Sequence, residues 1–127
     1  TKVANDKILI SQQQVNELKL VVRREVLSSV EMMRERYKIY RLRDRLKEDF
    51  LILFKDAEKK FSNGEIKIDQ YQLASQAYYA RTESVISALS TFNQSKILIE
   101  AMIGVKLDEV EGYSEFINNL EREIQSN

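Results

Sequence analysis

Not one of the 127 residues is proline, and the first of only three glycines stands at Gly64. Proline and glycine are the residues that most disfavour a helix interior, so a chain this poor in both is predisposed to long uninterrupted helices. With 43% hydrophobic and 31% charged residues, the chain has the composition of a folded polypeptide and the length of one domain.

The chemistry is narrowed by two further absences. No cysteine means no disulfide and no thiolate nucleophile, and no histidine removes the commonest metal ligand and the commonest general base. The paired acids Asp56 and Glu58, and Asp108, Glu109 and Glu111, are too close in sequence to face one another on a helix, so they read as surface and helix-end charges. The glycines lie too far apart for a phosphate-cradling loop. The expectation is a non-enzymatic protein without catalytic residues, cofactor or metal. Basic and acidic residues number 20 each, so no net field draws in a nucleic acid, and none is expected as a partner.

The longest uncharged run, Ser84 to Ser95, is twelve residues of mixed polarity. A membrane helix needs about 20 apolar residues, so no transmembrane segment is expected. The chain opens on Thr1 without the basic, apolar and small-residue succession of a secretory leader. It is expected to be an excised piece, a processed form, or a relative that has lost other parts.

Hydrophobic spacing gives the organisation. Val15, Leu18, Val22, Val26, Val30, Met33, Tyr37 and Tyr40 recur at threes and fours, one face of a helix. Beyond Tyr40 the apolar residues shift to Ile39, Leu42, Leu46, Phe50, Leu53, Ala57 and Phe61, which predicts that the helix twists against its partner or changes partner midway. After the turn chemistry of Ser62-Asn63-Gly64-Glu65, a second run from Tyr71 through Ala74, Tyr78, Arg81, Val85, Ala88, Phe92, Ser95 and Ile99 to Met102 keeps coiled-coil spacing. This second helix is rich in alanine and serine, which lets a neighbouring backbone come close. Gly104 interrupts it, and Asp108 is the expected N-cap of a third helix whose stripe is Val110, Tyr113, Ile117, Leu120 and Ile124. The predicted fold is all-α, a single helical domain over residues 1–127. It comprises a long antiparallel coiled-coil hairpin (helix 1 about 4–61, tip 62–66, helix 2 about 67–103) and a short C-terminal helix at about 108–125. Leu27, Leu51, Phe54, Leu73, Ile86 and Leu89 widen the stripes beyond a two-helix seam, so self-association or docking of the third helix is expected to cover them.

Two groups of residues are candidate sites. Arg34, Arg36, Lys38, Arg41, Arg43 and Arg45, interleaved with Tyr37 and Tyr40, would suit an anion. Glu31, Glu35, Asp44, Glu48 and Asp49 lie within helical reach of them, so a salt-bridged face competes with that reading. The tip, Phe61, Ser62, Asn63, Gly64, Glu65 and Ile66, is both the loop a hairpin requires and an apolar-flanked docking point for a protein partner. The aromatics Phe50, Phe54, Phe61, Tyr71, Tyr78, Tyr79 and Phe92 are at packing rather than pocket spacing, with Tyr79 beside the seam and expected to be exposed.

From the tip onward, Phe61, Gly64, Ala74, Tyr78, Ala88, Phe92, Leu98 and Gly104 fall in a pattern that resembles the C-terminal coiled-coil half of the TolC-like outer-membrane efflux family. Val105-Lys106-Leu107-Asp108-Glu109 is similar to the segment that leaves the helix there. The departures are Lys67, where a Ser or Thr usually begins the descending helix, and Gln70, where an acid is common, with Asp69 one place early. The resemblance covers roughly residues 20–110. It implies a periplasmic or outer-membrane-associated module that packs side by side into a tunnel and meets a membrane-fusion adaptor at its tip, without the barrel strands. The alternative is a stand-alone helical scaffold or adaptor with no transport role.

Overall fold

The computed structural model describes residues 1–126, and no strand occurs among them. Among them are three α-helices: α1 (Lys2–Ser62), α2 (Ile68–Ile103) and α3 (Tyr113–Gln125), with a short 3-10 turn at Leu107–Glu109 between the last two. The fold is the all-α hairpin that the spacing predicts, with a short third helix. At 1.5 Å per residue, α1 is a rod about 90 Å long.

The reversal is fixed by backbone hydrogen bonds. Gly64 has φ 75°, a conformation in which a Cβ would be strained. Its N–H donates to the Phe61 carbonyl at 3.0 Å, and Glu65 N–H donates to the Lys60 carbonyl at 2.8 Å. This pair of bonds satisfies the last carbonyls of α1 in a Schellman arrangement. Lys67, which has no acceptor to cap α2, is helped by Gln70, whose side-chain oxygen accepts the Lys67 N–H at 3.0 Å. That is one half of a capping box.

α2 runs back along α1 from the Phe61–Tyr71 ring pair, 5.1 Å between centroids, to the Ser29 hydroxyl and Met102 sulfur at 3.8 Å. It ends there. Residues 1–25 of the chain are exposed throughout, so the first part of α1 projects as a single helix about 36 Å beyond its partner.

The seam follows the later apolar residues of α1 only in part: Phe50 and Ala57 are half-buried, and Phe61 stacks on Tyr71. Met33 and Tyr37 are buried, and Tyr40, Asp44, Lys47, Leu51 and Phe54 continue the same threes and fours half-buried, while Ile39, Leu42, Leu46 and Leu53 are exposed. A left-handed supercoil holds one heptad face against one partner, and following the apolar residues would require α2 to wind around α1. The seam instead accommodates charge, with Lys47 Nζ 3.3 Å from Asp44.

Full burial is confined to the section where α3 joins the hairpin. Met33, Ile99 and Leu120 are at most 2% exposed there, packed with Tyr37, Phe92, Leu107 and Ile124. The Phe92 ring meets Tyr37 edge-on at 5.2 Å. Between positions 38 and 84, by contrast, no side chain is fully buried. That distal half is a two-helix ladder of aromatics in which Phe54 stacks on Tyr78 at 5.6 Å and meets Tyr71 at 5.8 Å. Tyr79 is 59% exposed, as expected from its place beside the seam.

The third helix starts later than the expected 108. Asp108 lies in the 3-10 turn and pairs with Lys96 at 3.0 Å, while Leu107 N–H donates to the Glu100 carboxylate at 2.7 Å. Gly112, with φ 89°, is the N-cap of α3. A left-handed residue cannot lie inside a right-handed helix, so no continuous helix can cross position 112.

Candidate functional site: the hairpin tip and the basic face of α1

At the tip, the Schellman bonds present a preformed turn. Ser62 Oγ donates to the Glu58 carbonyl at 3.0 Å, which ties the last turn of α1 to itself. Asn63, Gly64 and Glu65 are exposed, Phe61 is 38% exposed despite its stacking on Tyr71, and Ile66 is half-buried. Ile68 and Leu73, exposed in the first turns of α2, enlarge the apolar surface next to the turn. Neither was singled out from the sequence for the tip, although the apolar pair Ile66 and Ile68 flanking Lys67 is a legible signal.

The basic face is occupied. Arg34 and Lys38 converge on Glu123 of α3, at 2.6 and 3.0 Å. Arg41 reaches Glu121 at 2.7 Å and Asp44 at 3.1 Å, and Tyr37 donates its phenolic proton to Glu121 as well. The Arg41 Nε has no well-aimed hydrogen bond, so its contact with Glu121 is an ion pair of proximity. Arg45 donates to the Ile124 carbonyl at 3.1 Å at the C-terminal end of α3, where a cation suits the helix dipole. Arg36 and Arg43 lie on the other side of α1 and donate to the Thr91 and Ser84 carbonyls of α2, at 3.3 and 3.4 Å. All six cations therefore clasp α3 or clip α2.

Among the acids expected to neutralise this face, Glu31 lies 3.9 Å from Arg34 and Asp44 pairs with Arg41. The main partners are Glu121 and Glu123, eighty or more positions away. Their spacing puts them on opposite sides of Arg122, a pattern with no local signature. The consequences for titration follow the contacts. Hydrogen bonds from Lys38 and Arg34 hold the Glu123 carboxyl below its ordinary value. Burial, reinforced by the bond to Glu121, pushes the Tyr37 phenol well above its own. The bond to Asp108 raises Lys96, and burial raises Tyr113.

Among the described residues, no cluster of acids is placed to hold a metal ion, and no helix is long and apolar enough to cross a membrane. Comparison with family models, with curated proteins and with solved structures returns no match for this chain.

Proposed function

We propose that the chain is a non-enzymatic helical interaction module that works by lateral helix packing and by contacts at its tip, similar to the periplasmic hairpin of an outer-membrane export channel. The observation that carries this reading is the tip. A turn locked by backbone bonds, with Phe61, Ile66 and Ile68 around it, stands at the far end of a rod whose three-helix core lies elsewhere. A preorganised apolar-flanked turn loses little freedom on binding, which suits a protein partner such as a membrane-fusion adaptor. The expected test is pull-down of such an adaptor by the chain. Gly64→Ala and Ile66→Asp should abolish capture while the circular dichroism spectrum stays helical. Normal capture by both variants would remove this reading.

The second reading, a free-standing scaffold without an export role, is favoured by the single-helix projection of α1, whose Ile8, Val15, Leu18 and Val22 are all exposed. It predicts that Val22→Lys disrupts partner binding while tip variants do not. Arg34, Lys38 and Arg41 are paired with acids of α1 and α3, and the anion-binding reading is not proposed.

A further inference from the structure

The chain exposes far more surface than its mass requires. A folded monomer of this size has about 7,000 Å² of accessible surface by the usual scaling, and this 14.9 kDa chain has 9575 Å². Much of the excess is apolar and aligned. Ile8, Val15, Leu18, Val22, Met32, Ile39, Leu46 and Leu53 lie between 39% and 63% exposed, at spacings of three, four and their sums. They form one stripe along α1, on the same side as Arg36 and Arg43, and away from the residues Arg34, Lys38, Arg41 and Arg45 that hold α3.

We infer that this stripe is a seam for a second copy of the chain, packed antiparallel about a two-fold axis at the level of Val30 and Glu31. In that register the apolar ends meet one another: Ile8 faces Leu53 of the other copy, Val15 faces Leu46, and Val22 faces Ile39. Nearer the axis Ser29, buried against Met102 of its own copy, contributes no surface to the seam. Arg36, the cation that would otherwise interrupt the stripe, falls opposite Glu25, and the aliphatic stem of Arg43 lies along Leu18. A parallel pair sets Arg36 against Arg36 and Arg43 against Arg43, so charge selects the antiparallel arrangement.

Shape selects it too. The single-helix projection of each copy, residues 2–25, lies beside positions 36–59 of the other, on the side of α1 away from α3, where α1 has no fully buried side chain beyond Tyr37. The stripe runs about 70 Å, and at a helix width of about 10 Å it covers about 700 Å² on each copy. Both faces together come to about 1,400 Å², within the range of stable interfaces. Hairpins packed side by side in a tunnel point their tips the same way, so this pair is a property of the free-standing chain and does not rest on the export reading.

The test exploits the absence of cysteine. Val22→Cys and Ile39→Cys are made as separate single variants, at exposed positions, and mixed in equal amounts under mild oxidation. The antiparallel pair gives the mixed disulfide as the dominant product, because two copies of position 22 lie about 25 Å apart, far outside disulfide reach. Homotypic disulfides equal to or above the mixed product overturn the proposal, and so does a chain that stays monomeric by light scattering at its highest soluble concentration. As an independent reading, Arg36→Glu should weaken self-association by about tenfold or more. Combining it with Glu25→Arg should restore the association, with helicity unchanged in both. Failure of that rescue would count equally against the register.

Discussion

At the scale of single residues, stability is concentrated in very few positions. Met33, Ile99 and Leu120 are the large apolar side chains that reach full burial, and each bridges two elements of the same small core. Ile99→Ala is expected to cost about 2–4 kcal/mol, read from the midpoint of chemical denaturation, because the cavity left between three helices cannot collapse freely. Ile52→Ala, at a position 67% exposed, should move the same midpoint by less than about 0.5 kcal/mol. Gly64 tests a different effect. Nothing lies within 4 Å of a Cβ built there, so the cost of Gly64→Ala is purely conformational and should be about 1 kcal/mol. A much larger loss would mean that the turn is packed against something in solution.

At the scale of elements, α3 is the part whose attachment depends on ionisation. Glu123 has a depressed pKa, so its contribution is complete above the ordinary carboxylate value of about 4.3 and is lost as pH falls through the lower, folded value. Tyr37, Tyr113 and Lys96 are raised, so theirs are complete below about pH 10 and are lost as pH rises through the folded values. Protection of the amides in 113–125 against hydrogen exchange should therefore hold over a plateau from about pH 4.3 to about pH 10. It should fall at both edges before the protection of the α1–α2 section does. Loss of protection throughout the molecule at once would contradict a separately held α3. Glu121→Ala with Glu123→Ala should abolish the plateau while leaving the hairpin intact.

The hairpin itself was legible in the sequence because its signals are local: heptad spacing in α2, and glycine where the chain reverses. The clasp on α3 was not. Its acids lie far along the chain from Arg34 and Arg41, and any of five nearer acids offered a simpler pairing on α1. The seam of α1 misled for a related reason. Apolar spacing identifies faces that seek a partner, but it does not say which partner comes, and the faces of Ile39, Leu46 and Leu53 point away from the one within the chain. At the tip, the residues were correctly grouped, whereas the bonds that stiffen them follow from the φ of Gly64 and from backbone geometry.

At the scale of the molecule, the chain is a rod, and its longest dimension by small-angle X-ray scattering should be about 90 Å. Antiparallel pairing about the level of Val30 and Glu31 makes a specific prediction here. The mass doubles while the longest dimension hardly changes, and the cross-section grows. A pair about twice as long as the single chain would indicate end-to-end contact and a different interface.

The thickness of the rod varies along its length: one helix up to about position 25, three where α3 lies against the hairpin, and two from there to the tip. Resistance to bending rises steeply with cross-section, so the single chain is a beam clamped near its middle and compliant at both ends. Lateral force on the tip would be taken up in the two-helix section around Phe54 and Tyr78, and would leave the Met33–Ile99–Leu120 core undisturbed. The tip can be deflected without loosening its root.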